Sequence, residues 1–178
     1  MDGSRRRLLR LSGGLGLLGL AGGVAGCGFR PVYGTGGSDG GADAAEDLAA
    51  TQVGIIADRE GQILHNLLLD RFNPRGRPTE PRHSLSTAVS IAISELGTQI
   101  DETTTRSQVT VSATSTLNAF GEAHSFRSRI VATFSTTESE YASSVAEQDA
   151  IKRAMVVIAD DIRLQVATFF ERQRLLQS

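Results

Sequence analysis

The sequence predicts an α+β fold: a two-layer α/β sandwich whose four-stranded mixed sheet carries two helices on one face, in the order β-α-β-β-β-α. Three observations lead there. A helical apolar stripe over residues 59–72 follows a short apolar strand, three segments between residues 85 and 135 alternate apolar and polar side chains, and a second helical stripe runs from residue 144 to residue 176.

Val53-Gly54-Ile55-Ile56 reads as the first strand. Behind it Ile63, Leu64, Leu67, Leu68 and Phe72 recur at three- and four-residue spacing, which puts them on one side of a helix beginning at Arg59. Asn73-Pro74 ends that helix, because the residue before a proline is pushed out of helical geometry, and Arg75 to Pro81 form a loop. Leu85, Val89, Ile91 and Ile93, then Val109, Val111 and Leu117, then Phe126, Ile130 and Phe134 alternate with Ser, Thr and Arg. Such period-two segments place one face on a core and the other against water or a polar partner. Turn residues at Gly97 to Thr105 and at Asn118-Ala119-Phe120-Gly121 join the three as an antiparallel meander. The last helix opens on a capping box, Ser144-Val145-Ala146-Glu147, and buries Ile151, Met155, Ile158, Ile162, Val166 and Phe169. A strand joined through a helix to the next strand favours a parallel crossover, so the sheet is mixed; the spatial order of its strands stays open.

The N-terminal segment has another character. Arg5, Arg6, Arg7 and Arg10 precede an uncharged Gly- and Leu-rich run from Leu11 to Val24, too short and too glycine-interrupted for the roughly 20 apolar residues of a spanning helix. Ala25-Gly26-Cys27 follows, and Cys27 is the only cysteine. The pattern is that of a lipoprotein signal peptide, residues 1–26, cut before a Cys27 whose thiol accepts the lipid; Ser4 to Arg10 also resembles a twin-arginine export signal, which leaves the export route open. Residues 27–50 are then the lipidated N terminus and a flexible tether, the Gly- and Asp-rich part from Gly34 spanning on the order of 20 Å as a coil. Residues 51–178 form the folded domain.

Composition narrows the function. Loss of residues 1–26 removes four arginines and one aspartate, so the remainder is more acidic than the whole chain, whose net charge is −2; a nucleic-acid binder would show a basic face. A lipidated lone thiol leaves no cysteine for a disulfide or a cysteine-ligated metal. His65, His83 and His124 lie in separate elements without ligand spacing, and Asp160-Asp161 diverge by about 100° on a helix, so neither set forms a metal or acid/base site. No nucleophile elbow, zinc-protease helix or P-loop is present, and no cofactor is expected. Arg127 and Arg129 stand two apart on one strand, opposite in facing to Phe126 and Ile130, and suit bidentate capture of phosphate or carboxylate; Arg106, opening the preceding strand, joins them if the register allows. Pairing with acids such as Glu122, or simple solubility, is the alternative use of these arginines.

Cys27-Gly28-Phe29-Arg30-Pro31-Val32-Tyr33 resembles the mature N terminus of LptE, the lipopolysaccharide-assembly lipoprotein, in its alphaproteobacterial form. The similarity continues through Asp58-Arg59-x-Gly61-Gln62-x-Leu64-x-Asn66, Asn73-Pro74 with Pro81-Arg82, and Ala146-Glu147-x-Asp149-Ala150-x-x-Arg153-Ala154 with Ile158-Ala159-x-Asp161-Ile162. The resemblance implies a non-enzymatic lipoprotein of the outer membrane, anchored on its periplasmic side. Such a protein plugs the β-barrel LptD, its partner, and assists delivery of lipopolysaccharide, whose phosphates are sensible contacts for Arg106, Arg127 and Arg129. An auxiliary lipoprotein of another lipid-trafficking ABC system, or a lipid-anchored enzyme, are the readings it competes with.

Overall fold

The computed structural model describes residues 41–98, 105–136 and 139–177. The alternating segments form strands of unusual length: after α1 (Gly41–Ala49), β1 (Thr51–Val53) and α2 (Arg59–Phe72) come β2 (His83–Thr98), β3 (Thr105–Ala119), β4 (Glu122–Thr136) and then α3 (Glu140–Gln177). The four-stranded sheet runs β1-β2-β3-β4 in space, with β1 parallel to β2 and the other pairs antiparallel. The mixed sheet and its meander agree with the alternation, and the spatial order is simply the chain order. The 16 residues of β2 extend about 54 Å at ~3.4 Å per residue, and the 38 residues of α3 about 57 Å at ~1.5 Å per residue, so one helix runs the length of the sheet.

Pleating decides which face that helix covers. Leu85, Val109, Val111, Ala113, Leu117 and Phe134 point toward the helices and are buried. From α3, Ile151, Met155, Ile158, Ile162 and Val166 close over them, with Leu64, Leu68 and Phe72 from α2. The predicted stripe ends differently: Phe170, not Phe169, is fully buried, one helical turn after Val166, and Phe169 turns toward β4.

Three expectations are corrected. Residues 41–49, read as part of a flexible tether, are the helix α1, because alanines favour helix and Ala44 and Leu48, four apart, both drop into the core. The first strand is Thr51–Val53 rather than Val53–Ile56. Ile55 is 83% exposed, while Ile56 leaves the sheet to pack on the start of α2. There a Cβ on Gly61 would lie 2.7 Å from Ile56 Cγ2, so only glycine fits, and Gln62 Nε2 donates to Ile56 O at 2.5 Å. Finally α3 starts at Glu140, capped by Ser139, whose Oγ accepts from Ala142 N–H at 3.4 Å; Ser144 lies inside the helix.

Phe120 and Gly121, at φ 54° and 84°, make the two-residue hairpin between β3 and β4, in which both turn residues take left-handed geometry. The predicted turn between Gly97 and Thr105 falls mostly outside the described residues.

The adjacent acids of α3 hold two different elements instead of forming one solvated face. Arg71 Nε donates to Asp160 Oδ1 at 2.5 Å, joining α2 to α3 and holding the Asp160 carboxyl below the usual carboxylate range. Asp161 Oδ2 accepts from Ser128 Oγ at 2.5 Å and Gln165 Nε2 at 2.7 Å, fastening α3 to β4. Buried Asn73 donates from Nδ2 to Ala49 O and Thr51 O, which closes the end of α2 onto the α1–β1 junction.

Candidate functional site

With the helices on one side, the opposite face of β2, β3 and β4 is covered by none of the described residues. It presents Ser86, Ser90 and Ser94 from β2, Thr110, Ser112 and Thr114 from β3, and Ser125, Arg127, Arg129 and Thr133 from β4, each exposed or half-exposed. Small hydroxyl side chains, with Ala88 and Ala92 on β2 and the exposed Val131 on β4 among them, make this face mostly polar and shallow, about 50 Å long at ~3.4 Å per residue. Among the described residues of these strands it carries no aromatic ring.

Arg127 and Arg129 do share this face, opposite Thr114 and Ser112 of β3. Both are exposed, and Glu122, the acid nearest in sequence, lies 3.9 Å from His124 Nε2 instead. Two residues apart on one strand, their Cα atoms are separated by about 6.7 Å, within reach of one phosphate-bearing group. Arg106 is on the same face but pairs with Ser135, six positions from Arg129 along β4, or about 20 Å. The register therefore brings two of the three predicted arginines together and leaves the third apart. Cys27 lies outside the described residues.

The histidines occupy unrelated surroundings. His65 Nδ1 lies 2.9 Å from Gly54 O, fixing α2 to the end of β1, and His124 packs on Phe169 with ring centroids 4.3 Å apart and the planes tilted by 43°. His83 is buried between Phe120 and Phe170, with Nε2 3.6 Å from Asp47 Oδ1. Asp47, itself buried, also accepts from Arg174 at 2.6 Å and lies 3.4 Å from Arg82, which pairs with Glu46 at 2.9 Å. This cluster was not legible in the sequence, since α1, the start of β2 and the end of α3 supply it from distant positions and no local spacing marks it.

Burial pushes the His83 imidazole below its ordinary value of 6.5, against the opposing pull of Asp47. A histidine whose folded pKa is depressed contributes stability that is complete above the unfolded value and is lost as pH falls through the folded one. Thermal unfolding followed from about pH 7.5 to about pH 5.5 should show stability falling with acidity, and His83→Leu should flatten that slope.

The LptE family model, described as lipopolysaccharide-assembly, matches residues 48–166, from the end of α1 through every strand and most of α3. The chain belongs to the LptE family. As an LptE protein it serves lipopolysaccharide assembly and is not an enzyme. The LptE fold recurs in a lipoprotein structure from Caulobacter crescentus, 21% identical with a TM-score of 0.56, covering 74% of this chain and 97% of that one. It recurs also in the rare lipoprotein B from Shewanella oneidensis, 16% identical with a TM-score of 0.55, covering 72% of this chain and 98% of that one. No curated protein matches the chain.

Proposed function

We propose that this LptE protein is an outer-membrane lipoprotein, anchored through lipid on Cys27, that assembles with and plugs the LptD β-barrel and assists lipopolysaccharide transport to the cell surface. The observation that carries the reading is the sheet face that none of the described residues covers. A barrel lumen wide enough to hold a domain is lined by polar side chains. A shallow hydroxyl face about 50 Å long can lie against such a wall with its polar groups hydrogen-bonded and its small side chains permitting close approach. A leader ending in Ala25-Gly26 directly before Cys27 supports attachment to a membrane through lipid.

Within this reading Arg127 and Arg129 take phosphate groups of lipopolysaccharide, and Arg106 takes a separate contact farther along the face. Affinity purification of the membrane-extracted protein should recover LptD at near-equal stoichiometry; recovery of inner-membrane transporter subunits alone would reject it. Arg127→Ala with Arg129→Ala should weaken lipopolysaccharide binding by roughly tenfold at low salt, if each charge-assisted contact is worth under about 1 kcal/mol at this exposure. The difference from wild type should shrink as salt is raised, because exposed charges are screened over about 8–10 Å. Unchanged binding with an intact fold would exclude the pair.

A further inference from the structure

On the other side of β4 from the arginine pair lies a groove of about 410 Å³ between that strand and α3, lined by Phe126, Leu164, Gln165, Thr168, Phe169 and Arg172. We propose that this groove holds an acyl chain of an anionic amphiphile whose phosphate-bearing head lies over the edge of β4 on Arg127 and Arg129. The inference deepens the lipopolysaccharide reading above and rests on it only for the identity of the head group.

Four observations carry it. The groove's hydrophobic surface comes from Phe126, Phe169 and Leu164, the two rings meeting edge-on at 6.0 Å and Leu164 standing 46% exposed. Of its polar lining residues, Thr168 and Gln165 are already engaged. Thr168 Oγ1 donates to Leu164 O at 2.8 Å, and Gln165 Nε2 is held by Arg127 O, Ser128 Oγ and Asp161 Oδ2 at one margin. Next, β4 is the outermost strand, so only its edge separates the groove from the open face, and consecutive residues Phe126 and Arg127 point to the two sides. Last, exposed Arg172 stands at the groove, with Arg127 and Arg129 across the strand, while the nearby Asp161 is taken up by Ser128 and Gln165 and Glu122 lies beside His124. The rim thus favours an anionic head, and the volume is that of a small-ligand site lined by apolar side chains.

The test places p-benzoylphenylalanine at Leu164 in the full chain, expressed in its own membranes, with Tyr141 on the distal part of α3, 81% exposed, as the control position. Irradiation should attach an acyl lipid with a phosphate-bearing head at position 164, on the order of tenfold more than at 141, as a bound state and not a random collision requires. Arg127→Ala with Arg129→Ala should lower that yield. Attachment to the barrel wall, to the acyl groups of Cys27, to neutral lipid equally at both positions, or to nothing would overturn the proposal. Thr168 provides a second insertion position should the first variant fold poorly. LptD recovery is read separately: lipid attachment without LptD rejects the plug and keeps the groove, whereas LptD without lipid attachment rejects the groove alone.

Discussion

Replacing Ile158 by aspartate is expected to abolish folding of the domain. Ile158 is fully buried at the middle of α3, in the apolar stripe formed with Met155 and Ile162. The substitution forgoes roughly 2–3 kcal/mol of apolar burial and adds several kcal/mol for a carboxylate with no counter-charge in the core. Together these rival the entire stability of a domain, about 5–15 kcal/mol. The adjacent Val157, 48% exposed, supplies the comparison: Val157→Asp changes helix composition by the same residue one position away yet should cost no more than about 1 kcal/mol. Circular dichroism and urea titration of the two variants separate the outcomes. A cooperatively folded Ile158→Asp protein would mean that α3 buries a different face.

That prediction could be written from the sequence, because the spacing Ile151, Met155, Ile158, Ile162, Val166 leaves one helical face to bury and the structure buries it. The strands were legible for a related reason: small and polar residues, mostly Ser, Thr and Arg, at alternate positions mark a face that a core cannot use, so both the pleat and the outward surface follow from alternation. Face assignment needs only parity within a strand, which is why Arg127 and Arg129 were placed on one side while Arg106 was left to the register. Their separation needs the register of the β3–β4 hairpin, and that depends on where Phe120-Gly121 turns. Helix α1 escaped notice because glycine and aspartate dominate its surroundings, and nine residues show a buried side only once β1 and α3 are there to receive Ala44 and Leu48. The groove beside β4 escaped for a similar reason. Phe169 lies one residue from the true stripe position, so its turn toward Phe126 is a property of the assembled layers and not of the helix.

Asp47→Ala should destabilise the domain by about 2 kcal/mol, since it removes contacts to several partly exposed partners each worth up to about 1 kcal/mol after solvent screening, and lower the melting temperature by roughly 6 °C at this chain size. The Asp47 side chain is only 7% exposed and it serves three groups: Arg174 at 2.6 Å, Arg82 at 3.4 Å and His83 at 3.6 Å. These lie on α3 and at the entry to β2, so the carboxylate fastens α1 to both ends of the core it covers. Its removal leaves a guanidinium already pushed below its ordinary pKa by burial without that carboxylate, and leaves His83 buried without its acid. Cutting the cluster from the other side should cost less. In Arg174→Ala the carboxylate keeps Arg82, and the lost arginine is 29% exposed, so solvent screening discounts its share to about 1 kcal/mol. Melting curves of the two single variants and the double variant measure the difference, with the double expected to lose less than the sum because both changes remove one shared contact. Equal losses from Asp47→Ala and Arg174→Ala would mean that Arg82 and His83 contribute nothing to holding α1, and the cluster would reduce to a single ion pair.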